Sequence, residues 1–208
     1  MHRSLFAERP SPYYIMSPDY RRNSAGIRVL HMLCDALVRS GYEAYISSAV
    51  LNPRLMTPRL TNDVTALHKA QKVEPIVIYP EVVDGNPMGA NVVVRYLLNQ
   101  PGFLRAISPF EKDDILFSYT RELLQPGMTQ DRVLYMPAVD VSIFCPPVDP
   151  TQRIPGKVCY YQGRQGKALI DPALLAADSI EITPGSPGSW EELAAVFQQC
   201  EFFYCSEP

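Results

Sequence analysis

Long apolar runs are missing from this sequence: no stretch reaches the about 18 residues that a membrane-spanning helix needs. The first residues, Met1-His-Arg-Ser-Leu-Phe-Ala-Glu-Arg-Pro10, also lack the apolar segment of a secretory leader, so the chain reads as cytoplasmic. Histidine is scarce. His2, His31 and His68 show neither His-x-Glu nor His-x-x-x-His spacing, and the five cysteines (Cys34, Cys145, Cys159, Cys200 and Cys205) form no Cys-x-x-Cys pair. No metal site is therefore expected, and the cysteines, mostly in apolar surroundings, read as small hydrophobes. Glycine-rich phosphate loops are absent in both common forms, Gly-x-Gly-x-x-Gly and Gly-x-x-x-x-Gly-Lys-Ser/Thr, and so is a Gly-x-Ser-x-Gly nucleophile turn. A formal net charge of -3, with no basic helix or aromatic RNA-binding strand, argues against nucleic acid as a partner.

Proline, by contrast, is abundant: 20 in 208 residues, about twice ordinary usage. Apolar strands lie between the prolines, which therefore mark loops and sharply cut elements rather than disorder. The charge is uneven as well. Residues 1–60 hold eight arginines against Glu8, Asp19, Asp35 and Glu43, a balance of +4 that leaves -7 for the rest. Such a basic first part is either a solvated face or a surface that meets an anionic membrane or a phosphate-bearing substrate.

The order of apolar runs predicts an α/β chain. Residues 12–16 read as a buried strand. A polar loop follows, then a helix over about 25–40 with Ser24 as N-cap, Gly41 as stop, and Ile27, Leu30, Cys34, Leu37 and Val38 on one face. A strand over 42–46, a loop over 51–60, a short helix over 61–72 and a strongly apolar strand over 75–79 come next. The spacing then predicts a helix over about 90–99 and strands over 114–118 and 133–136, giving a parallel sheet of five or six strands. Further on lie strands over 158–161, 180–182 and 202–205. A helix over 189–199 precedes the last of these, and its Ser189-Trp-Glu-Glu192 start has capping-box spacing. The expected organisation is a Rossmann-like domain over 1–137, an interdomain linker over 138–156 and the start of a second such domain over 157–208. Two parallel-sheet domains would face each other across a cleft, the second one incomplete.

Ligands of open parallel sheets lie beyond the carboxyl ends of the strands, and three polar loops fall there: 19–26, 81–86 and 163–167. In the first, Asn23, Ser24 and Gly26 bring small residues and backbone N–H groups to a helix start, suited to a phosphate or sugar hydroxyl or simply to a strand-to-helix turn. In the second, Glu81 and Asp84 are either a general base and a hydroxyl acceptor or two solvated loop acids, Asp84-Gly85 being an ordinary turn dipeptide. In the third, Arg164 and Lys167 could neutralise a departing diphosphate, or could be surface charges.

Five passages resemble the N-terminal domain and hinge of GT-B glycosyltransferases, of the retaining group that builds bacterial polysaccharides. They are Ser24-Ala-Gly-Ile-Arg-Val-Leu-His31; Ile78-Tyr-Pro-Glu-Val-Val-Asp-Gly-Asn-Pro87 with Val94-Arg-Tyr-Leu-Leu-Asn-Gln-Pro-Gly102; Met136-Pro-Ala-Val-Asp140 with Phe144; Tyr161-Gln-Gly-Arg164; and Glu191-Glu-Leu-Ala-Ala-Val-Phe197 leading to Phe203-Tyr-Cys-Ser-Glu-Pro208. The resemblance implies transfer of a sugar from a nucleotide-sugar donor to a hydroxyl of a glycan or lipid-linked acceptor. It implies acceptor binding by the first domain and donor binding by the second. It implies no cofactor and no metal, because cations and a helix N-terminus stabilise the leaving diphosphate. Glu207 resembles the first of two donor-site glutamates; the second, and the helix between them, lie outside the sequence, so the chain is expected to be a fragment and inactive alone. Lipid-linked acceptors would give the basic first half a peripheral role at the inner face of the membrane. The competing expectation is a non-catalytic sugar- or partner-binding α/β protein completed by another subunit.

Overall fold

A computed structural model describes residues 10–163 and 170–205, and by its contacts the chain divides into two compact units, 1–138 and 139–208. The first unit is built on five parallel strands: β1 (Tyr13–Ile15), β2 (Ala44–Ile46), β3 (Ile76–Pro80), β4 (Val92–Leu97) and β5 (Ile115–Ser118), in the order β2-β1-β3-β4-β5. That order is one of the two common doubly wound arrangements, and its direction reverses between β1 and β3. Register is fixed by alternation. Ile15 lies between Ile46 and Ile78 on one face, while Tyr14 and Val77 point to the other.

Helix α1 (Ala25–Arg39) covers the first face, placing Val29, Leu30, Leu33 and Cys34 against Ile15, Ile46, Ile78 and Tyr96. Ser24 stands at its N-cap position in extended conformation, but its side chain makes no capping hydrogen bond. The helix ends as the sequence predicts. Gly41 turns to φ +85°, its N–H reaches the Val38 carbonyl and the Tyr42 N–H reaches that of Leu37, the reciprocal pattern that closes a helix on a left-handed glycine. Helix α2 (Asn62–Ala70), capped by the Thr61 hydroxyl on the Val64 N–H, brings Val64 to the opposite face with Tyr14, Val77 and Tyr79.

Two expectations fail here. The helix expected over 90–99 is the strand β4, because Val92-Val93-Val94 is a β-branched run that loses side-chain freedom in a helix and fits a pleated sheet. Its residues alternate, Val93 joining one core and Val94 and Tyr96 the other. The strand expected over 133–136 is reduced to one bridge, from Val133 to Ser118, although Leu134 and Met136 still pack on the α1 side.

Among the described residues the second unit holds three parallel strands in the order β7-β6-β8: β6 (Ile154–Tyr161), β7 (Ile180–Glu181) and β8 (Cys200–Cys205). Helix α3 (Trp190–Gln199) starts at the predicted capping box, with the Ser189 hydroxyl on the Glu192 N–H and the Glu192 carboxylate on the Ser189 N–H. The stretch read as a linker contributes to this unit's packing: Phe144 lies 5.7 Å from Trp190 and 6.3 Å from Phe197 between ring centres. Among the described residues no helix is long and apolar enough to cross a membrane.

Candidate functional site

Because all five strands of the first unit run the same way, their carboxyl ends share one rim. Polar side chains stand within two residues of the strand ends: Ser17 after β1, Ser47 and Ser48 after β2, and Glu81 after β3. The loops after β1 and β2 are zipped together. The Ser17 N–H donates to Ser47 Oγ (2.9 Å), the Ser48 hydroxyl donates to the Pro18 carbonyl (2.7 Å), and Asp19 Oδ1 accepts from the N–H groups of Ala49 (2.6 Å) and Val50 (3.0 Å). Those two backbone donors hold the Asp19 carboxyl below its ordinary value.

His31 of α1 lies beneath this junction, fully buried. Its Nε2 is 3.1 Å from Ser48 Oγ. Since that hydroxyl already donates to Pro18, it accepts from Nε2–H, which leaves Nδ1 unprotonated, and no hydrogen-bond partner stands at Nδ1 among the described residues. Burial holds this imidazole below its ordinary value, with partial relief from the Pro18 carbonyl and Asp19.

Glu81 sits at the switch point between β1 and β3 and is 3 % exposed. Its Oε2 accepts from the Leu98 N–H at 2.9 Å. Burial raises its carboxyl above the ordinary value, against the opposing pull of the N–H groups of Leu98, Glu81 itself and Asn99. The carboxylate thus ties the end of β3 to the end of β4 while staying more basic than a solvated glutamate. Gly26, in the first turn of α1, comes to the same place: a Cβ there would lie 3.5 Å from Leu98 Cδ1, ordinary contact, so the close approach of helix and rim suits glycine without demanding it.

The remaining sequence-predicted residues part company. Asp84 lies down the loop, where Oδ1 accepts from the Ser108 N–H (2.9 Å), which lowers its pKa; it fastens one loop to another. Asn23 is exposed. Arg164, Lys167 and Glu207 lie outside the described residues. Two of the buried thiols, Cys34 and Cys159, are pushed up to about 12, first by burial, which removes them as nucleophiles at neutral pH. Among the described residues no group of three or more His, Cys, Asp or Glu side chains could hold a metal ion.

Compared with known proteins, the chain matches no family model, no curated sequence and no solved structure.

Sequence reasoning missed four residues of this rim. Arg28 of α1 donates through Nε to the Ala138 carbonyl (2.8 Å) and through Nη1 to the Arg22 carbonyl, and it stands within electrostatic reach of Tyr20 and Tyr119. Tyr119 follows β5, its N–H bound to the Leu97 carbonyl, and its ring centre is 5.1 Å from that of Tyr135. Tyr20 packs edge-on against His31 at 5.1 Å. The one available signal was the position of Arg28, a cation four residues into a helix whose neighbours Ile27, Val29 and Leu30 are all apolar. The tyrosines gave none, because they are far apart in sequence and are gathered only by the strand order.

Proposed function

We propose that this chain serves a GT-B-type glycosyltransferase reaction, in which a sugar passes from a nucleotide-sugar donor to a hydroxyl of a glycan or lipid-linked acceptor. The first unit would bind the acceptor and the second would contribute to the donor site. The observation that carries the reading is Glu81: a buried, unusually basic carboxylate at the topological switch point of a parallel sheet, beside the helix start formed by Ser24 and Gly26. In the reaction the bond from the sugar's anomeric carbon to the diphosphate breaks, and the leaving group keeps the electron pair. A bond to the acceptor oxygen forms, and the hydroxyl proton goes to Glu81. Asn23, Ser24 and Gly26 would hold other hydroxyls of the acceptor. Arg164, Lys167 and Glu207 would face the donor, as the family resemblance suggests.

The test is release of nucleoside diphosphate by the protein as its gene encodes it, supplied with uridine and guanosine diphosphate sugars and a panel of glycosides. Glu81→Gln keeps the shape and an acceptor for the Leu98 N–H but removes the base, so release should fall about a hundredfold or more. Equal rates in the variant would remove Glu81 from the reaction, and no release with any donor would remove the reaction itself.

A second reading, a non-catalytic sugar- or partner-binding protein completed by another subunit, draws on a specific observation. Both acids of the 81–86 loop already accept backbone N–H groups, Glu81 from Leu98 and Asp84 from Ser108, as purely structural carboxylates do.

A further inference from the structure

Tyr135 is 63 % exposed, yet the backbone around it is fixed on several sides. The Leu134 N–H donates to the Ser118 carbonyl (2.8 Å), the Tyr96 hydroxyl donates to the Leu134 carbonyl, and Leu134 and Met136 are packed into the α1-side core. A large aromatic side chain is thus held in water by a rigid support. Its neighbour Tyr119 is half-buried with the rings tilted by 31°, and the two phenols interact: after burial, Tyr135 is the chief cause that raises the Tyr119 phenol. Arg28 borders the pair, its guanidinium oriented by the carbonyls of Ala138 and Arg22. Tyr119 and Leu98 directly follow β5 and β4, so the pair stands on the rim that also carries Glu81.

We infer that Tyr135, backed by Tyr119, is a stacking platform for the apolar face of a sugar ring. This deepens the proposed function, on which it rests for the identity of the rim as an acceptor site, by naming a carbohydrate ring rather than an alkyl chain as the group held there. A pyranose has one face of C–H groups, carrying slight positive charge, and a perimeter of hydroxyls. An aromatic ring offers a negative face to the former, and phenols and a guanidinium at its margin meet the latter. An alkyl chain would instead need an apolar lining without such a polar border. Exposure makes sense on this reading, because a solvent-facing aromatic that is rigidly held contributes contact area with little loss of side-chain freedom.

The experiment is saturation-transfer NMR on the protein as its gene encodes it, irradiating the upfield methyl protons, where none of the probes absorbs. The probes are methyl β-glucoside, methyl β-galactoside and methyl α-mannoside, with uridine as a flat aromatic control. Transfer is expected to the C–H protons on one face of at least one glycoside. It should weaken about three- to tenfold in Tyr135→Ala and persist in Tyr135→Phe, since the ring rather than the hydroxyl does the stacking. Because Tyr135 is exposed, both variants should keep the wild-type circular dichroism spectrum and melting temperature, which separates lost binding from lost fold. No transfer to any glycoside, transfer to uridine alone, or equal transfer in Tyr135→Ala would each overturn the platform. Diphosphate release, measured on the same proteins, separates this inference from the reaction. Turnover without dependence on Tyr135 sinks the platform only, whereas ring stacking without turnover sinks the transfer reaction only.

Discussion

At the scale of single residues, the rim is governed by what burial does to titratable groups, and two of them pull in opposite directions. His31 is held below its ordinary value of 6.5, so as pH falls the unfolded chain takes up a proton first. Its contribution to stability is complete above that value and is lost progressively below it. Glu81 is held above its ordinary value of 4.5, so the folded chain takes up the proton first, and its contribution is greatest in acid and is lost as pH rises through the raised value. The His31 effect sets in as pH falls through 6.5, and comparing the wild type with a variant at His31 alone isolates it from that of Glu81. Melting temperatures measured between about pH 7 and pH 5 should fall more steeply for the wild type than for His31→Gln, which can still donate to Ser48 Oγ but does not titrate. Parallel pH profiles would show that His31 is not the group responsible.

At the scale of elements, the first unit has an uneven construction. The crossovers from β1 to β2 and from β2 to β3 each carry a helix, whereas those from β3 to β4 and from β4 to β5 run over 81–91 and 98–114 with none. Arg95 of β4 takes the place of the missing helices. It is 1 % exposed, donates through Nε to Asp114 (2.7 Å) and through its two Nη atoms to the carbonyls of Val83 (2.9 Å) and Gly85 (2.6 Å), and lies over the Tyr79 ring. A single side chain thus fastens both helix-free loops to the sheet. Removing it strands a buried carboxylate as well as two carbonyls. Arg95→Met should lower the unfolding free energy by about 3–5 kcal/mol, read from urea titration, and Arg95→Met combined with Asp114→Leu should recover part of that loss. A single variant within about 0.5 kcal/mol of wild type would mean the loops are held by something else. The arginine inside Val-Val-Val-Arg-Tyr passed unmarked in the sequence analysis, although its apolar neighbours set it apart. What it holds could not be read there, because its partners are 10 to 19 residues away along the chain.

At the scale of the whole molecule, the division at Ala138 rests on where the cores lie. Both hydrophobic clusters of the first unit draw only on residues up to Ala138, and the aromatic packing of Phe144, Trp190, Phe197 and Phe203 belongs to the second. A chain ending at Ala138 is accordingly expected to melt cooperatively with strand and helix content intact; a broad, non-cooperative transition would show that the five-stranded unit needs more than its own core. The sequence by itself determined the α/β class with the helical crossovers of its first half, the start and stop of α1, the capping box of α3, and where the three described strands of the second unit lie. Each of these is a local matter of periodicity, turn residues and caps within a few positions. It also marked Glu81 as standing just beyond a buried strand. Only the tertiary structure decided that residues 92–97 are a strand, since Val93, Val94 and Leu97 suit one face of a helix as well as the inside of a sheet until neighbours at β3 and β5 supply the hydrogen bonds. The same holds for the rim. Strand order brings Arg28, Glu81, Tyr119 and Tyr135 to one edge from positions spread over more than a hundred residues, and such long-range convergence comes from packing the whole sheet.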